Sequence, residues 1–133
     1  MTVFRHHLYE YDKGLRRLVL HTAPESNRLE METILRKQGV AYLFVPLSNG
    51  HVNVFFGDKD CVDVVKSFGT TRLSDLTDEQ DFMLGIMLGY DRQVQCRRYL
   101  ARRRKKRLFP LGSGRIKNAR ALQKMVCSPS IGQ

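Results

Sequence analysis

The chain has 133 residues, 42% hydrophobic and 27% charged, which suits one globular domain with a modest core. Its formal net charge is +10, from 23 Lys/Arg against 13 Asp/Glu. No window approaches the ~20 apolar residues of a membrane-spanning helix, and three widely separated cysteines without a Cys-x-x-Cys pair argue against a disulfide framework or a structural zinc site.

The opening "MTVFRHHLYEYDKG" has no apolar signal core, so a cytoplasmic location with reduced thiols is expected. Charge is unevenly placed. Residues 1–91 carry ten Lys/Arg against thirteen Asp/Glu, a net of −3, whereas residues 92–133 carry thirteen Lys/Arg and no acid. Such asymmetry points to a polyanionic partner for the last third.

In chain order, "RLVLHTA" (17–23) reads as a strand. Asn27-x-x-Glu30 resembles a capping box opening the helix "RLEMETILRKQG", which Gly39 stops. "VAYLFVPL" (40–47) and "HVNVFF" (51–56) are strands joined by the turn "SNG" (48–50), because Asn and Gly tolerate positive φ. "DKDCVDVVKSFG" (58–69) is a helix, completing a βαββα unit. Thr77-x-x-Gln80 is a second capping box, leading into "DFMLGIMLGY" (81–90). Asp91 caps a helix through "RQVQCRRYLARRRKKR", which Pro110 and "GSG" (112–114) end. "RIKNARALQKMV" (115–126) is a basic amphipathic helix. The expected fold is α/β of the α+β kind: a small three-stranded sheet packed with C-terminal helices. It comprises one domain over 1–101 and a basic extension over 102–133.

Tyr42 and Phe44 point to one side of the hairpin, and Leu43 and Val45 to the other, so both sheet faces need cover. The first two helices of the unit can supply one layer. Later helices or a second subunit must supply the other.

The candidate sites are few. His6, His7 and His21 match no standard metal-ligand spacing, and no metal or cofactor is expected. Cys61 lies near a helix N-terminus, but Asp58, Asp60 and Asp63 crowd it and raise a thiol pKa; an Asp58/Asp60 ion site is a weak signal. The common nucleotide-binding, zinc-protease and hydrolase motifs are absent. "HVNVFF" lacks the pattern of RNA-recognition strands, so Tyr42, Phe44 and Phe55 are expected in the core. Gly85 and Gly89 share a helical face with Met83 and Ile86 nearby, which suggests close helix packing, within the chain or across a homodimer axis.

Six consecutive cations, Arg102, Arg103, Arg104, Lys105, Lys106 and Arg107, cover every side of a helix turning ~100° per residue. The helix must therefore project, fray or dock on something negative, with Cys96, Tyr99 and Leu100 as its packing residues. With Arg97, Arg98, Arg115, Lys117, Arg120 and Lys124, these cations form the expected anion-binding region.

The segments "FRHHLYEYDKGLRRLVLHT", "YLFVPLSNGHVNVFFGD" and "LSDLTDEQDFMLGIMLGYDRQVQCRRYL" resemble a small bacterial family known only as a domain of unknown function, over roughly residues 3 to 100. The resemblance implies about 120 residues, three strands, five helices, a homodimer and an association with flavodoxin. It assigns no catalytic residue. Three functions are in competition: a non-enzymatic dimeric accessory protein that docks an acidic, flavodoxin-like partner; a sequence-nonspecific RNA- or DNA-binding protein; and a small enzyme using Cys61 or an Asp pair.

Overall fold

The computed structural model describes residues 1–70 and 72–108, which fall into two compact units, Met1–Ser67 and a second beginning at Phe68. The breaker at 110–114 and the helix expected over 115–126 lie outside the described residues. The first unit contains α1 (Thr2–Asp12), β1 (Leu18–Pro24), α2 (Arg28–Lys37), β2 (Ala41–Pro46), β3 (His51–Gly57) and α3 (Lys59–Ser67). The second contains α4 (Asp78–Met87) and α5 (Arg92–Leu108).

The sheet is antiparallel throughout, in the order β1-β3-β2, so the last strand is the central one. Cross-strand partners share a face. Val19 pairs with Phe56 and Phe56 with Tyr42, while Leu20 pairs with Phe55 and Phe55 with Leu43. The turn that sets this register is held where Leu47 N–H donates to the His51 carbonyl (2.9 Å) and His51 N–H donates to Asn49 Oδ1 (3.2 Å).

Val19, Ala23, Phe44, Val52, Val54 and Phe56 line the first face and form one cluster with Phe4 and Leu8 of α1 and Met31 and Leu35 of α2. The layer on this face thus comes from α1 and α2, and α1 was not among the expected elements. Phe4, His7, Leu8 and Tyr11, all buried or half-buried, keep helical spacing of i, i+3, i+4, i+7. A histidine stands in that stripe and no side chain caps its start, so the usual start signal and a clean apolar period are both missing. On the second face Leu18, Leu20, Val45 and Phe55 are buried too. Thr22 Oγ1 donates to Asn53 Oδ1, which satisfies a buried amide oxygen there. α3 packs along β2 and β3 and buries Val62 and Val65.

The capping box expected at Asn27 is not formed. A single 3₁₀ turn, Glu25–Asn27, runs directly into α2, so Asn27 has helical dihedrals (φ −88°, ψ −8°) and makes no side-chain cap bond. An N-cap needs extended backbone to turn its side chain back on the first turn. Among the described residues no helix is long and apolar enough to cross a membrane.

Candidate functional site

The second unit is organised by the stretch Thr77–Gln80. Thr77 Oγ1 accepts Gln80 N–H (3.1 Å) and Gln80 Oε1 accepts Thr77 N–H (3.0 Å), a complete capping box. It starts α4 with Asp78, Glu79 and Asp81 in the first turn, where the helix dipole favours negative charge. Thr77→Ala should cost about 1 kcal/mol, read as a lower thermal midpoint.

Gly89 adopts φ +86° and ends α4. Gly89 N–H donates to the Ile86 carbonyl and Tyr90 N–H to the Gly85 carbonyl, both at 3.0 Å, the paired bonds of a Schellman stop. Asp91 Oδ1 then accepts Val94 N–H (3.0 Å) and caps α5. The chain reverses, and residues at similar separations from Tyr90 meet. Five positions either side, Gly85 receives the buried Gln95: a Cβ on Gly85 would stand 1.7 Å from Gln95 Nε2. Close approach at Gly85 is therefore made within the chain. Phe82 and Tyr99 follow as an edge-on ring pair with centroids 5.7 Å apart.

Beyond them the contact becomes ionic. Arg98 holds Asp81 bidentately, Nε to Oδ2 at 2.9 Å and Nη2 to Oδ1 at 3.2 Å. Arg102 Nε donates to Asp78 Oδ1 (2.9 Å), and its Nη1 stands 3.2 Å from Asp81 Oδ1. Lys106 Nζ reaches Asp78 Oδ2 at 3.2 Å. The two aspartate side chains are 0% and 1% exposed. Burial pushes the Asp78 carboxyl up, but the Arg102 hydrogen bond and the nearby Lys106 ammonium prevail and hold it below the ordinary carboxylate range. Tyr99 Oη donates to Glu79 Oε2 (2.8 Å), with Arg103 Nη1 3.9 Å from the same oxygen.

α5 thus docks on something negative supplied by its own chain. Of the three expected packing residues Tyr99 packs, but Cys96 and Leu100 are exposed, and the side toward α4 is Gln95, Arg98, Tyr99, Arg102 and Lys106. The helix runs unbroken to Leu108, so the expected division at residue 101 falls inside it. The ladder sorts the expected cations. Arg98, Arg102, Arg103 and Lys106 are paired to α4, whereas Arg97, Arg104, Lys105 and Arg107 are exposed and form no ion pair among the described residues. Arg115, Lys117, Arg120 and Lys124 lie outside the described residues. On α4, Met83 and Ile86 are exposed. The acids of the ladder were missed as site residues. Their signal was the spacing of Asp78 and Arg102, each twelve residues from Tyr90, with Asp81 and Arg98 nine and eight residues from it.

The other candidates serve the first unit. Arg16 Nη1 lies 3.0 Å from Nδ1 of buried His7, and a guanidinium can only donate, so this nitrogen accepts and the imidazole is neutral. Glu10 Oε1 sits 3.4 Å from that nitrogen and 3.7 Å from Arg16 Nη1. His21 packs edge-on to His7, centroids 5.5 Å apart. Among the described residues no three His, Cys, Asp or Glu side chains converge to hold an ion. Burial, then Asp58 and Asp60, push the Cys61 thiol up, which disfavours the reactive thiolate. Asp58 is engaged by Tyr11 Oη (3.1 Å) and Arg17 Nη1 (3.3 Å).

No curated protein matches the chain. A family model described as "Protein of unknown function (DUF2023)" matches residues 2–102, from the start of α1 to the Arg102 rung of the ladder. With three strands and five helices described, and three quarters of its length within that match, the chain belongs to the DUF2023 family.

Proposed function

We propose that this chain is a non-enzymatic binding protein that docks an acidic protein through the outward side of α5. The observation that carries the reading is the division of one cationic helix into a side neutralised by α4 and an outward side, with Arg97, Arg104 and Arg107, left exposed and unpaired among the described residues. Exposed arginines steer an oppositely charged partner and set the salt dependence of its encounter. A flavodoxin-like protein is the acidic partner that the family resemblance implies.

Pull-down from bacterial lysate at ~0.05 M and ~0.5 M salt, followed by titration of the captured protein, tests this. An acidic protein retained only at low salt, and released about tenfold more readily by the double variant Arg97→Glu/Arg104→Glu, is the expected result. Binding insensitive to both salt and the variant would sink it. The absence of any acid from residues 92–133 supports a second reading, nonspecific RNA or DNA binding. It requires a labelled oligonucleotide to shift at low salt with the same arginine dependence. We extend the proposal to a homodimer in contact through exposed Met83 and Ile86; a native mass of 15.4 kDa would remove that element.

A further inference from the structure

Gln93, Arg97, Leu100, Arg104 and Arg107 follow one another along α5 at alternating separations of four and three. This spacing presents a straight row to a second helix crossing at a shallow angle. All five are exposed, and the row lies opposite the Arg98–Arg102–Lys106 side that α4 occupies. From Arg97 to Arg107 it covers eleven residues, about 15 Å from first to last.

Leu100 stands in the middle of this row, 52% exposed, with Arg97 a turn before it and Arg104 a turn after. One exposed leucine needs no explanation by itself. Here its place matters, because an apolar centre ringed by arginines is the anatomy of a protein contact patch: a desolvated middle with a charged rim. A phosphate backbone offers a leucine nothing. A featureless acidic surface would use the arginines and leave Leu100 idle.

We infer that α5 seats an acidic amphipathic helix of its partner, whose carboxylates meet Arg97, Arg104 and Arg107 and whose apolar side chain covers Leu100. The inference rests on the reading that this side of α5 docks an acidic protein, and it names the partner's chemistry. A row this short buries far less than a standard interface, so the helix alone binds weakly, in the micromolar range or above.

The test uses the full chain and three fluorescent probes followed by anisotropy. These are a helical peptide with Glu and Leu at four-and-three spacing, a scrambled peptide of identical composition, and a labelled RNA oligonucleotide. The patterned peptide should bind about fivefold tighter than the scramble. Leu100→Ser, a change at an exposed position, should erase that preference and leave scramble binding unchanged. Arg97→Glu/Arg104→Glu should abolish binding of both peptides. If both peptides bind equally, or Leu100→Ser changes nothing, while the arginine variant still abolishes binding, the helix-seating inference is overturned and the docking reading stands. If the arginine variant also has no effect, both fail. Tight, arginine-dependent RNA binding with neither peptide bound overturns both in favour of the nucleic acid.

Discussion

Asp78→Ala is expected to lower the unfolding free energy by about 3 kcal/mol, measured by urea unfolding at pH 7 followed by far-ultraviolet circular dichroism. The Asp78 side chain is 0% exposed and receives Arg102 on one oxygen and Lys106 on the other. Removing it leaves the half-buried Arg102 only its contact to Asp81, which Arg98 already holds, and opens a gap where the buried carboxylate stood, while the exposed Lys106 turns to water. Surface ion pairs at comparable distances contribute only about 0–1 kcal/mol, since water solvates both partners almost as well. A loss below that level would place the ladder among ordinary surface pairs. The sign with pH follows from the depressed carboxyl of Asp78. Its contribution is complete above the unfolded value of 3.8 and fades as pH falls through the lower folded value. Added salt should change the variant's deficit little, because buried pairs are screened weakly.

The same ladder explains why α5 could be located in the sequence but not oriented. Its start signal, Asp91, is local, and so is the Thr77–Gln80 box that starts α4; both cap bonds are present. The packed side of α5 was sought among Cys96, Tyr99 and Leu100 because burial is normally read from apolar residues. Here α4 offers a glycine and two aspartates, so a glutamine and two arginines turn inward and a leucine turns out. No single-helix pattern carries that information, since it depends on which residues face each other after the chain reverses. The strands were legible for the opposite reason. Val40–Leu47 and His51–Phe56 declare themselves by β-branched and aromatic content around one turn, and they lie within a residue or two of β2 and β3. The position of β3 between β1 and β2 is a long-range choice that no local signal encodes.

α1 shows the cost of reading histidines as polar. His7 and His21 sit against the first-face cluster, His7 buried and His21 edge-on to it and 5.9 Å from the Phe4 ring. They behave as core residues while they are neutral. Arg16 makes that state local and specific for His7 by donating to Nδ1, a bond that protonation would destroy.

Acid should therefore weaken the first unit well before its carboxylates titrate. Burial, the neighbouring His7 and the positive N-terminus hold His21 at about 4, against 6.5 when unfolded. Burial and the Arg16 guanidinium lower His7 as well, and they prevail over Glu10, which pulls it upward. Both folded values are depressed, so the unfolded chain binds protons first. The stabilisation is intact above pH 6.5 and is lost as pH falls from there toward about 4. For His21, which is partly open to water, that interval corresponds to roughly 1–3 kcal/mol once solvent screening is allowed for, and His7 adds in the same direction. Urea unfolding at steps between pH 7.5 and about 4.5 should show a plateau that gives way to a decline below about pH 6.5, and His21→Phe should reduce the slope of that decline by about one proton. A stability flat across that range would mean that His21 reaches water when charged. The decline should also precede any loss from Asp78, whose window lies below 3.8, so acid separates the two units by their chemistry: the histidine core fails first and the ion-pair ladder of α4 and α5 outlasts it.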